Sequence, residues 1–185
     1  MTRKPATYAD LEALPSNQVG EIVNGELYAS PRPANPHASA AWHLGGELYG
    51  PFERGRGGPG GWLILSEPEL HLGKDVLVPD LAGWRRERLS KLSKVVGIQM
   101  APDWLCEVLS PSTSRLDRVR KLPIYAREGV KHVWLVDPRE HMLEVYRLEG
   151  GHYLLLGAYG DAETVHAEPF EALPLELKVL WEDVE

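Results

Sequence analysis

Two short apolar runs in this 185-residue chain are each broken by a single acid: Trp104-Leu105-Cys106-Glu107-Val108-Leu109 and Val76-Leu77-Val78-Pro79-Asp80-Leu81-Ala82. Runs of this length, rich in Val, Leu and Trp, read as strands inside a sheet. A carboxylate buried there without a partner is costly or gives up its charge. Each acid therefore needs a compensating group. A divalent cation between them is one solution, because carboxylate oxygens are the hard ligands that Mg²⁺ prefers.

The Glu107 run also opens the clearest stretch of local structure. Ser112-Thr113-Ser114 reads as the N-cap region of a helix running to Glu128, with Gly129 as its stop. Val133-Trp134-Leu135-Val136 follows within a strand from His132 to Asp137. A crossover of that length favours parallel pairing of the two strands. Upstream, Asn24-Gly25 marks the turn of a hairpin between Val19 and Ala29. A helix is expected from Ala38 to Tyr49, a flexible loop over Gly55 to Gly61, short strands at Trp62 to Leu65 and Glu69 to Leu72, and a basic helix or loop from Arg85 to Lys94. Met142 to Leu148 and Tyr153 to Leu156 read as strands, and the tail from Phe170 as a short helix or strand. The pattern predicts an α/β fold, with α+β as the alternative: a mixed sheet flanked by helices, an N-terminal β-hairpin and additional C-terminal strands, in one domain over residues 1–185.

A net charge of −7 argues against a generic nucleic-acid binder. The basic residues nevertheless cluster: Arg85, Arg86, Arg88, Lys91 and Lys94 in one segment, and Arg115, Arg118, Arg120 and Lys121 in another. Each cluster reads either as a phosphate-facing patch or as a solvated helix face. The single cysteine, Cys106, excludes an internal disulfide and reads as a packing thiol. With no signal-like N-terminus and no membrane-length apolar stretch, the chain is expected to be soluble and cytoplasmic. Asn occurs only at 17, 24 and 35 and Gln only at 18 and 99, a scarcity of thermolabile side chains that fits a thermostable protein.

An Asp on one strand, a Glu on another and a Lys within reach is the minimum set for metal-assisted phosphodiester hydrolysis. The carboxylates fix the ion, the ion polarises phosphate and acidifies a bound water, and the ammonium steadies developing negative charge. The same acids are equally compatible with ordinary buried ion pairs.

At this point the chain resembles a family. Val78-Pro79-Asp80 followed by Glu107 on a second strand is similar to the PD-(D/E)XK nuclease superfamily. Glu107-Val108-Leu109-Ser110-Pro111-Ser112-Thr113-Ser114, then Asp117, Lys121, Tyr125, Gly129-Val130 and Trp134-Leu135-Val136-Asp137-Pro138, resembles its Uma-two-type restriction endonuclease branch, a domain of unknown function. Glu21-Ile22-Val23-Asn24-Gly25-Glu26-Leu27 and Pro36-His37 match as well. The resemblance implies a restriction-endonuclease-like fold, Mg²⁺ (or Mn²⁺) as cofactor, and Asp80 and Glu107 as metal ligands. The superfamily pattern expects Lys two residues after the acid, where this chain has Leu109. The branch supplies its lysine from the following helix, which points to Lys121 as the third catalytic residue.

Treated as one regular helix, Leu116, Val119, Pro123 and Ala126 form the apolar stripe, leaving Lys121 on the far side with Asp117, Tyr125 and Glu128. On that reading Lys121 is a surface residue paired with Asp117 at i,i+4. Pro123, which interrupts or kinks a regular helix, and Ile124 and Tyr125 beside Lys121 favour partial burial instead. Further candidates are His37, Glu47 and Glu67 as additions to the site, with Glu69 beside Glu67. Asp103 opens the Glu107 strand and is expected to face solvent. Arg115 and Arg118 are candidates for DNA contact. No His-Glu-x-x-His spacing supports zinc, and the Gly55–Gly61 loop lacks the Gly-Lys-Ser/Thr ending of a phosphate loop.

The leading expectation is a Mg²⁺-dependent endonuclease acting on DNA, working as a homodimer, the commonest assembly. The alternative is a catalytically inactive nuclease fold serving as a DNA-binding or assembly module. A structural ion-pair core would instead give Asp80 and Glu107 each a Lys or Arg partner with no shared cavity.

Overall fold

The computed structural model describes residues 4–32 and 34–183. After α1 (Tyr8–Glu12), strands β1 (Gln18–Val23) and β2 (Glu26–Pro31) form the expected hairpin. Its turn holds Asn24 at φ 53° and Gly25 at φ 80°, the pair of left-handed residues that a type I′ turn requires. Helix α2 (Asn35–Leu48) continues into a π-helical turn, Tyr49–Glu53. There follow β3 (Trp62–Ser66), β4 (Leu70–Leu72), β5 (Asp75–Leu77), β6 (Leu81–Arg85) and β7 (Trp104–Val108). A helical run then leads to β8 (His132–Asp137), β9 (Met142–Glu149) and β10 (His152–Gly160). β11 (Thr164–Val165), β12 (Leu175–Glu176) and a 3₁₀ turn at Leu177–Leu180 complete the chain.

The main sheet has six strands in the order β10-β9-β8-β7-β6-β3. β7 and β8 are parallel, from Trp104 opposite His132 to Val108 opposite Val136, as the helical crossover requires; the remaining neighbours are antiparallel. A smaller sheet, β2-β1-β5-β4, lies alongside. Because successive side chains of a strand point to opposite faces, β7 divides its residues between two cores. Trp104, Cys106 and Val108 pack with Leu44 and Leu48 of α2 and with Leu177 and Leu180. Leu105 and Leu109 pack with Ile124, Tyr125 and Leu72. Both faces are covered, so β7 reads as an unbroken apolar run apart from Glu107. Phe170 anchors the C-terminal segment, its ring 4.8–5.6 Å from those of Trp62, Trp104 and Trp134.

Two expectations need correction. Val76 to Ala82 is not one strand. β5 belongs to the small sheet and β6 to the large one, with Val78-Pro79-Asp80 as the bend between them. Pro79 brings no N–H to a ladder, and the Val78 N–H goes instead to Glu21 Oε1 at 2.8 Å. After Arg85 the chain takes the loop form of the two expected there, irregular through Lys94. Asp103 is buried, not solvent-facing: it accepts the Arg85 N–H at 2.9 Å and pairs with Arg88 at 2.8 Å.

The helical run after β7 consists of α3 (Ser114–Leu116), a π-helical turn (Asp117–Lys121) and α4 (Leu122–Arg127). The widened turn immediately precedes Pro123, which a regular α-helix accommodates poorly in its interior. The apolar-stripe reading is inverted here. Val119 is 56% exposed, whereas Asp117, Lys121, Ile124 and Tyr125 are buried. The face of mixed chemistry turns inward because it meets Glu107, a carboxylate that an all-apolar stripe would leave unpaired.

Candidate active site

β6 and β7 pair antiparallel with Leu81 opposite Cys106. One residue further in the same register, Asp80 stands opposite Glu107, and facing positions of an antiparallel pair have Cβ atoms about 4.5–5.5 Å apart. The bend before Asp80 thus delivers its carboxylate to the Glu107 strand. Asp80 Oδ2 accepts the N–H of Val108 at 2.7 Å, which fixes its orientation. Its other oxygen lies 3.3 Å from Nε2 of His37, in the first turn of α2.

Glu107 is 3% and Lys121 2% exposed. The Lys121 ammonium lies 2.8 Å from Glu107 Oε1, 2.9 Å from Glu21 Oε1 and 3.4 Å from Asp117 Oδ1. Tyr125 donates its hydroxyl to the same Glu107 oxygen at 2.5 Å, so Glu107 Oε2 takes part in neither contact. Asp80, Glu107, Lys121, Glu21, Asp117 and His37 all border one cleft of about 240 Å³.

The titration behaviour follows from crowding. Burial pushes the Glu107 carboxyl well above the usual range. Lys121 opposes that rise, and Asp117, Asp80 and Glu21 add to it. Burial works against the Lys121 ammonium, but Glu107 and Glu21 outweigh it and hold the lysine firmly protonated. Asp117 is raised by burial, against the pull of Lys121. For His37, burial lowers the pKa, but the bond to Asp80 and its charge more than compensate and raise it overall. The cluster holds more carboxylates than ammonium groups, a surplus that favours bound positive charge.

Among the described residues, no group of three or more His, Cys, Asp and Glu side chains is arranged to hold a metal ion. Of the carboxylates that border the cleft, Asp80 and Glu107 are the pair that could hold a metal ion through hard oxygens. That set fits Mg²⁺ or Mn²⁺, since Mg²⁺ commonly binds through one or two carboxylates and keeps several waters; it does not fit zinc, which is held by three or four N, S or O ligands.

The Uma2 family, described as "Putative restriction endonuclease", matches residues 5–179. The chain belongs to the Uma2 family. A crystal structure of a "putative nuclease" of DUF820 from Anabaena variabilis ATCC 29413 shares its fold, with a TM-score of 0.77 at 22% identity, covering 96% of this chain and 98% of that one. No curated protein matches the chain.

Of the residues singled out from sequence, Asp80, Glu107 and Lys121 converge, and His37 and Glu67 border the same cleft. Glu47 is exposed on α2 and is not among the cleft residues. Glu69 accepts the Tyr8 hydroxyl at 2.9 Å and contacts His71 at 2.6 Å. Arg118 is engaged by Glu144 of β9 at 2.6 Å, while Arg115 borders a neighbouring groove. Leu109 is 2% exposed in the core beneath α4. A lysine there would be buried among apolar groups, whereas the helix that covers Glu107 can lower an ammonium onto it from above. The sequence reading did not place Glu21 or Tyr125 in the site and gave Asp117 only a pairing role. Glu21 carries the same signal as the other two acids, a lone carboxylate within Val19-Gly20-Glu21-Ile22-Val23.

Proposed function

We propose that this chain is a metal-dependent endonuclease that hydrolyses DNA phosphodiester bonds, with Asp80 and Glu107 holding Mg²⁺ (or Mn²⁺) and Lys121 completing the site. The observation that carries the proposal is the 2.8 Å contact of Lys121 with Glu107 in a cleft that Asp80 also borders. Asp80 has no Lys or Arg partner among the described residues, only His37 and the Val108 N–H. That is the composition of a site with one position left for a cation, not of a closed ion-pair core.

When bound, the ion supplies polarisation of the phosphate and a water acidified enough to attack. The residues of the chain supply the rest. The Val108 N–H and His37 orient Asp80, and Tyr125 and Lys121 hold Oε1 of Glu107. Lys121, kept protonated by its carboxylate neighbours, stabilises charge that develops on the phosphate oxygens. The low exposure of Glu107 and Lys121 limits competing water and strengthens these interactions.

We propose further that residues 1–185 form one domain that acts on DNA in the cytoplasm, as a homodimer. No helix among the described residues is long and apolar enough to cross a membrane. The rival reading, a binding module without turnover, draws on the engagement of Lys121 by three carboxylates at once. Incubation of supercoiled plasmid and of circular single-stranded DNA with the protein and Mg²⁺ or Mn²⁺ separates the two. Nicking by the wild type, absent in Asp80→Ala and Glu107→Ala, supports the enzyme; equal nicking by all three, or none by any, rejects the assignment.

A further inference from the structure

The cleft does not end at the buried pair. Ser30, Pro31 and Ser112 on its rim also border a second groove, of about 450 Å³, that runs between β2 and the helical run after β7. Tyr28 lies on the β2 side of this groove and Arg115 and Arg120 on the helix side. The charge pattern of the helix separates these two arginines from the others. Arg118 is paired with Glu144 and Arg127 with Asp75, each on another element. Arg115 and Arg120 are exposed and have no acidic partner within ion-pair distance among the described residues. In the other basic segment Arg86 and Arg88 are likewise engaged, by Glu53 and Asp103, and Arg85 stacks on Trp62 at 4.1 Å. On a chain of net charge −7, two unpaired guanidinium groups beside an aromatic ring and continuous with the acidic cleft form a local exception.

Both recesses are open to solvent and of modest size. Spaces of about 240 and 450 Å³ are on the scale of sites that take one small molecule, about 300–1,000 Å³. They suit a nucleotide or two of one strand. The phosphates of a duplex lie on a convex surface and do not follow a recess to side chains that are 2–3% exposed. A basic groove with an aromatic wall is the usual recognition surface for single strands, in which phosphates meet cations and bases meet a ring face.

We propose that the substrate is an unpaired DNA strand, seated along the groove with its phosphates on Arg115 and Arg120 and a base against Tyr28, so that the next phosphate enters the cleft. The inference rests on the nuclease reading for its substrate class, and its test does not require turnover. Fluorescence anisotropy in EDTA compares a labelled oligothymidylate with a blunt duplex of equal length across a salt series. The single strand binds more tightly. The Arg115→Ala/Arg120→Ala variant lowers the slope of log affinity against log salt by about 1.4, two contacts' worth for a single strand. Arg118→Ala leaves the slope unchanged. Tyr28→Leu, which keeps apolar volume, weakens binding by about fivefold or more. Equal or tighter duplex binding, or a wild-type slope in the double arginine variant, overturns the proposal. Cleavage with Mg²⁺ that shows no preference for unpaired DNA also overturns it and leaves the nuclease reading standing. Arginine-dependent single-strand binding with no cleavage in Mg²⁺ or Mn²⁺ removes the nuclease reading and keeps the groove.

Discussion

Asp80 and Val108 are joined by a 2.7 Å hydrogen bond from the Val108 N–H to Oδ2 of Asp80. Through it, the acid at the bend between the two sheets is held beside Glu107, the residue before Val108. The site therefore depends on the strand register, on the break at Val78-Pro79 and on the helix that lowers Lys121 onto Glu107.

Removing Lys121 leaves buried carboxylates facing one another without their shared ammonium. Lys121→Met is expected to lower stability by about 3–5 kcal/mol, the usual effect of breaking a buried pair on one side, and to abolish cleavage. Urea denaturation and plasmid nicking measure the two effects. A variant of wild-type stability would show that Glu21, Glu107 and Asp117 do not depend on Lys121.

The pH dependence of the metal-free protein has a definite sign. Burial, with Asp117, Asp80 and Glu21 adding to it, raises the Glu107 pKa in the folded state. Above the ordinary carboxylate range the folded protein then binds more protons than the unfolded chain, so stability falls as pH rises toward the raised value. The stabilisation is fully present below the unfolded pKa and lost through the folded one. Denaturation midpoints in EDTA should decline over that window. Glu107→Gln should flatten the decline, and an unchanged slope in that variant would count against Glu107 as its source.

Restoring the superfamily lysine at its usual position should fail. Leu109 lies in the core with Leu105 and Ile124, where an ammonium without a carboxylate partner costs several kcal/mol or loses its proton. Leu109→Lys is expected to destabilise the fold and not to rescue cleavage in a Lys121→Met background. Recovery of nicking in the double variant would show that the site accepts its ammonium from either direction.

Asp103 is the control for buried acids outside the cleft. It pairs with Arg88 and caps the Arg85 N–H, and it is not among the cleft residues. Asp103→Ala should cost about 3–5 kcal/mol of stability by leaving its partners unpaired. Mg²⁺ binding, followed by calorimetry at a temperature where the variant is folded, should be unchanged. Loss of Mg²⁺ binding in the folded variant would bring Asp103 into the site.

Much of this arrangement is legible along the chain. The hairpin at Asn24-Gly25, the parallel pairing of β7 with β8 and the stop at Gly129 follow from turn chemistry, crossover length and left-handed backbone preference. Asp80 and Glu107 stand out because a lone acid in an apolar run is energetically conspicuous. Glu21 had the same mark. The helix was harder to read: periodicity treats apolar residues as the buried face, and here the buried face carries Asp117 and Lys121.

The sequence by itself determined most of the strands of the large sheet and that some of the acids in apolar runs need partners, because burial of a short apolar run and the cost of an unpaired charge are local properties. Only the tertiary structure decided which partners they receive. Whether Lys121 faces solvent or Glu107 depends on a π-helical turn before Pro123 and on the rotation it gives the helix over the sheet. That rotation is set by contacts between β1, β7 and the helix, elements distant in sequence. The same long-range packing brings Glu21 and Glu107 to opposite sides of one ammonium.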